Sequence, residues 1–98
     1  MDARFQIDEG LLTVAGTLEL SSAEEFRDAL LRVLEEAEPG VDMEAVEECD
    51  LAALQLLRAA VVTAAGQGTP LAVKAGEAMR RACGAVGASV EALLEGGR

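Results

Sequence analysis

The stretch "VEECDLAALQLLRAAVV", residues 46–62, changes character at a single position. Glu47, Glu48 and Asp50 surround Cys49, and from Leu51 onward the chain is almost wholly apolar. A carboxylate just before an apolar run marks a helix start, because it accepts orphan backbone N–H groups and complements the helix dipole. The pattern therefore predicts a helix that opens near Leu51, is capped by Asp50 and runs to about Gly66. Between Leu51 and Ala65 only Gln55, Arg58 and Thr63 are polar. A helix so nearly apolar all round is either buried on several sides or covered by a partner.

Upstream, Phe5 and Ile7, then Leu11, Leu12 and Val14, flank "DEG" at Asp8 to Gly10, a β-hairpin pattern. Gly16 is expected to end the second strand, with Leu18 and Leu20 extending it as an edge. In "SSAEEF", Ser22 with Glu25, or Ser21 with Glu24, has capping-box form. Phe26, Ala29, Leu30, Val33 and Leu34 then recur at helical spacing, with Asp28 and Arg32 set for an i,i+4 pair. Pro39 and Gly40 are expected to stop this helix. Val41, Met43 and Ala45 alternate with acids as a strand.

Downstream, "GQGTP" is a turn and "LAVKA" a short strand. A third helix, "EAMRRACGAV", should turn Met79, Ala82, Cys83 and Val86 inward. A final helical turn or two spans Ser89 to Leu94, and "EGGR" should fray. Repeated strand-to-helix units predict a single α/β domain over residues 1–98, a small mixed sheet with helices mainly on one side.

Ninety-eight residues suit one domain, and 51% apolar residues suit one core. The formal charge of −10 argues against nucleic acid and against anionic lipid. It fits a basic partner surface, and equally fits plain solubility. Cys49 and Cys83 match no metal or redox spacing and suit a reducing compartment. The N-terminus is too polar for a signal peptide, and no apolar run could span a bilayer, so a cytoplasmic protein without membrane insertion is expected.

Chemistry is poorly supplied. The chain has no His, Tyr or Trp, and neither cysteine has an imidazole to activate it. Cys83 reads as a core residue, and the acids around Cys49 should raise its pKa. Glu35 to Asp50 carries acids and no base, yet their spacing fits no calcium loop. A solvated acidic face competes there with a small metal-dependent enzyme. "GTLEL" and "GQGTP" lack the ending of a phosphate loop. No catalytic residue, metal ligand or cofactor is expected.

At this point "LTVAGTLELSSAEEFRDAL" and "VDMEAVEECDLAALQLL" together resemble the STAS domain of sulfate transporters and anti-sigma factor antagonists. Val14, Gly16, Leu18 and Glu19 match that family's Leu-x-Gly-x-Leu-Asp type stretch. Asp50 to Leu54 match its Asp-Ser-Ser-Gly-Leu loop, with Leu51 and Ala52 in place of the serines. In the antagonists, the resemblance implies, the first serine is phosphorylated by a partner kinase, and the phosphate blocks binding. Leu51 has no hydroxyl, so no phosphorylation is expected there. Ser21 and Ser22 are the nearest alternative acceptors, with capping as their competing role.

The resemblance implies a non-catalytic interaction module of bacterial regulation. Its partner would be an anti-sigma factor or a histidine-kinase-like protein. Asp50 to Leu57 also follow an Asp-x-Ala-x-Leu-Gln-Leu-Leu pattern familiar from STAS proteins that accompany chemotaxis genes. A further subgroup is the STAS subunit bound to the ATPase of a lipid-trafficking ABC transporter. The expected contact patch joins Glu19, Leu20, Ser21 and Ser22 to Asp50, Leu51 and Ala52, with Arg58 as a polar rim. Against it stands the reading that Leu51 folds inward with Leu54. A homodimer built through the second helix is the remaining alternative.

Overall fold

The computed structural model describes residues 2–95. Strands β1 (Arg4–Asp8) and β2 (Leu11–Leu18) form the expected hairpin around Glu9 and Gly10. Both turn residues have positive φ, 50° and 82°, the backbone twist that a two-residue hairpin loop requires. Helix α1 (Ala23–Val33), strand β3 (Gly40–Cys49), helix α2 (Leu51–Gly66), strand β4 (Ala72–Lys74), helix α3 (Glu77–Ala85) and helix α4 (Val90–Leu94) follow. The sheet order is β1-β2-β3-β4, with the hairpin antiparallel and both later pairings parallel. This is the mixed sheet of an α/β fold, in the order that the strand-to-helix repeats predict.

Alternation places Leu12, Val14 and Leu18 of β2 on the buried face, with Val41, Met43 and Val46 of β3. The inner faces of α1 (Phe26, Ala29, Leu30, Val33) and α2 (Ala53, Leu54, Leu57, Ala60, Val61, Ala64) close the core. Phe5 stacks on Phe26 with ring centroids 5.8 Å apart. Helix α3 adds Ala78, Met79 and Cys83.

Several boundaries differ from expectation. Strand β2 continues through Gly16 to Leu18 and lies inside the sheet rather than at its edge. Gly16 has φ +87, and a Cβ there would stand 2.4 Å from the Asp2 carbonyl oxygen, so a crowded crossing, not a strand end, explains this glycine. Strand β3 carries one extra residue between Asp42 and Ala45 and another between Val46 and Glu48. The first of these bulges shifts the alternation so that Val46, not Ala45, points inward.

Helix α1 ends at Val33, before Pro39 and Gly40, which instead lead into β3. The pairing at Asp28 and Arg32 does not form; an i,i+4 pair among the described residues is Arg81–Glu77 in α3, at 3.2 Å. Val86 falls just past α3 and is exposed. "LAVKA" contributes only Ala72–Lys74 as strand. Of the expected fraying tail, residues 96–98 lie outside the described residues.

Candidate protein-interaction surface

The site is built where β2 and β3 end side by side. Leu18 pairs with Cys49, and the Asp50 amide donates to the Leu18 carbonyl at 3.1 Å. Because the strands stay paired to their last residues, the segments after them emerge as neighbours. Glu19, Leu20, Ser21 and Asp50 line one shallow surface hollow.

Asp50 caps α2 as its sequence position implies. Its backbone is extended (φ −100, ψ 176) and its Oδ1 accepts from the Ala53 amide at 3.0 Å. Ala52 is half-buried, and Leu51 stands on the outside of the first turn, 49% exposed. The alternative in which Leu51 folds inward beside Leu54 is therefore not what the chain does, since Leu54 is buried. Arg58 lies seven residues further along the helix on the same exposed stripe.

After β2, Leu20–Ser22 form one turn of 3-10 helix before α1. The serines serve this turn rather than the helix. Ser22 occupies the N-cap position of α1 but makes no side-chain cap bond to it. Its hydroxyl oxygen accepts from the Glu19 amide at 3.1 Å, and its hydroxyl can donate to the Glu19 carbonyl at 3.1 Å. Ser21 donates to the Glu19 carboxylate, also at 3.1 Å. These bonds tie Glu19, Ser21 and Ser22 into one compact corner. Leu20 is left outside it, 75% exposed. Two leucines thus stand at the same end of the sheet, within an acidic rim that includes Glu19 and Asp50.

Cys49 lies beside this surface, half-buried, its thiol 3.8 Å from the Asp50 carbonyl. Burial, then the Asp50 charge, then Cys83 push its pKa from 9.0 up to about 11. The direction is the expected one, but burial leads it, and Glu47 and Glu48 are not among the causes. Burial and Glu91 raise Cys83 as well. Both thiols are free.

The acids from Glu35 to Asp50 do not converge. Glu44 pairs with Lys74 at 3.4 Å, and Asp42 accepts from the Glu44 amide at 2.9 Å. Among the described residues, no three His, Cys, Asp or Glu side chains are grouped to hold a metal ion. No described helix is long and apolar enough to cross a membrane. A separate apolar hollow of about 140 Å³ lies between α1 and α2, lined by Leu30, Leu31, Leu34 and Leu56 among others. It is smaller than the cavities that enclose drug-sized ligands.

This architecture defines a small α/β domain, one sheet packed against helices, that presents strand-end loops. The chain matches the family model described as "Mlab, STAS domain" over residues 1–95, and it belongs to the STAS domain family. No curated protein matches it. Among solved structures it is similar to an anti-sigma factor antagonist from Mycobacterium paratuberculosis, with TM-score 0.69 and 23% identity over 88% of this chain and 77% of that one. It is also similar to part of the crystal structure of Mglu, with TM-score 0.59 and 17% identity, covering 76% of this chain and 19% of the other. At these identities the likeness concerns the fold.

Proposed function

We propose that this chain is a non-catalytic module that binds another protein through the end of the sheet. Leu20 and Leu51 are its apolar contacts, Glu19, Ser21, Ser22, Asp50 and Ala52 frame them, and Arg58 extends the surface along α2. The observation that carries this reading is the exposure of both leucines beside a hydrogen-bonded corner. Burying one leucine against a partner contributes on the order of 1.5–3 kcal/mol. The resemblance to anti-sigma factor antagonists implies a serine at this position that switches binding by charge; in this reading the apolar Leu51 takes its place.

The partner in this reading is an anti-sigma factor or a histidine-kinase-like protein, the chemotaxis-associated type included, met in the cytoplasm. A second reading keeps the surface and changes the partner to the ATPase of a lipid-trafficking ABC transporter. The lack of a hydroxyl at Leu51 and Ala52 favours it, because a constitutive subunit needs no phosphate switch at its docking surface.

Titrating this protein into each purified candidate partner encoded near its gene tests both readings. Leu51→Asp should weaken the productive pair by at least about tenfold, equivalent to 1.4 kcal/mol, and leave the circular dichroism unchanged. Binding by neither partner class, or equal binding by the variant, would remove this surface from consideration.

A further inference from the structure

The two edges of the sheet are protected very differently. Strand β4 pairs only with Gly40–Asp42 of β3, spans three residues and carries Lys74. Beyond it α3 lies along β3, and Arg81 donates to the Glu47 carbonyl at 3.1 Å. A short edge, a lysine and a covering helix are the usual devices against strand-to-strand association. Strand β1 has none of them. It is five residues long, "RFQID", without proline, lysine or any irregularity in its pairing with β2.

The hairpin fixes which backbone groups face outward. Asp8 and Leu11 flank the two-residue turn, so they form its hydrogen-bonded closing pair. By alternation Gln6 and Arg4 also direct their N–H and C=O groups toward β2. Phe5 and Ile7 direct theirs at the open edge.

The sequence of β1 is complementary to its own reverse. In an antiparallel pair of copies centred on Gln6, Phe5 of each copy meets Ile7 of the other. Those are the residues whose backbone groups face the edge, so the pairing closes four N–H···O=C bonds. Arg4 of each copy then meets Asp8 of the other, and Gln6 meets Gln6, at the positions where opposing side chains approach most closely. Phe5 and Ile7 are only partly buried in the single chain, and a second strand would cover what remains. Arg4 also interacts within its own chain, and a guanidinium has five donors to divide between partners.

We infer that β1 is a homodimer interface: two copies pair their β1 edges antiparallel about Gln6, forming one continuous eight-stranded sheet held by two Arg4–Asp8 pairs. The two-fold makes each contact occur twice, as a closed dimer requires. This pairing uses neither Leu20 nor Leu51, so it stands independently of the function proposed above.

Sedimentation velocity at physiological ionic strength, over a series of protein concentrations, tests it. The wild-type chain should move from single to double mass as concentration rises. Arg4→Asp and Asp8→Arg each turn both ion pairs into like-charge contacts, and each should weaken self-association by at least about tenfold. An equimolar mixture of the two variants should recover the dimer, because across that mixed interface both pairs are again opposite in charge. The double variant, R4D with D8R, should dimerise like the wild type, which also guards against a single variant that folds poorly. A wild-type chain that stays at single mass throughout, a dimer indifferent to both swaps, or a mixture that stays monomeric would each overturn the assignment.

Discussion

At the last residue of β3, Cys49 holds a thiol half out of water and next to the Asp50 carboxylate. Losing its proton would place a second negative charge in a poorly solvated spot, so the proton is retained up to about pH 11 instead of 9.0. In the unfolded chain the same thiol ionises first. Between those two values the unfolded state therefore binds fewer protons than the folded one, and stability falls as pH rises. Below pH 9 the contribution is fully present. Thermal unfolding should show this loss over the window from 9 to 11, and Cys49→Ser should reduce it, while the raised pKa of Cys83 adds a contribution of the same sign. Alkylation at Cys49 should be slow near neutrality and still be accelerating at pH 10; a rate that levels off near pH 9 contradicts the account. The acidic neighbours were readable in the sequence. The burial that leads the shift was not, because it depends on tertiary packing: Cys83 of α3 is itself among the causes, and Arg81 of the same helix reaches the Glu47 carbonyl across 34 residues.

Helix α2 carries two different apolar faces. Leu54, Leu57 and Ala64 are buried, while Leu51 and Val62 are exposed with Gln55 and Arg58 between them. Its composition announced a helix and its start, since the Asp50 cap bonds a residue only three positions away. The choice of inner face could not be read from so uniform an apolar run; α1, α3 and the sheet make that choice. Strand β3 posed the opposite difficulty. Its acids and apolar residues alternate well from Val41 to Glu44, but two bulges then move the inward positions, and a bulge is set by the partner strand's register. For the same reason Gly16 resembled a strand end until the Asp2 backbone was placed against it. The two faces of α2 should separate cleanly under truncation. Leu57→Ala removes a fully buried side chain and should cost about 2–5 kcal/mol of unfolding free energy. Leu51→Ala should cost no more than about 0.5 kcal/mol, as surface substitutions do. Urea unfolding of the pair measures both. A Leu51 loss comparable to that at Leu57 would mean the first turn of α2 contributes to the core and is unavailable to a partner.

At the scale of the whole molecule, a formal charge of −10 is spread over a body measuring 31 × 26 × 19 Å. The third dimension is the thickness of one sheet and one helix layer, and no described acid is buried. Two pairs that offset them among the described residues, Lys74–Glu44 and Arg81–Glu77, are exposed, and exposed pairs contribute little. Net like charge favours the expanded chain, where the acids stand further apart. Added salt shortens the range of that repulsion to roughly 8 Å at 0.15 M and should therefore stabilise the fold, the reverse of what a protein held by surface ion pairs would show. A gain on the order of 1 kcal/mol between very low and physiological ionic strength corresponds to a Tm rise of about 4–8 °C for a domain of this size. Repeating the melt with sodium chloride and sodium perchlorate at equal ionic strength separates screening from ion-specific effects, because screening depends on ionic strength alone. A Tm that falls as either salt is added would show that local pairs outweigh the net charge. The acidic rim around Leu20 and Leu51 would then have to be counted as part of the fold's own stability, not as surface held ready for a basic partner.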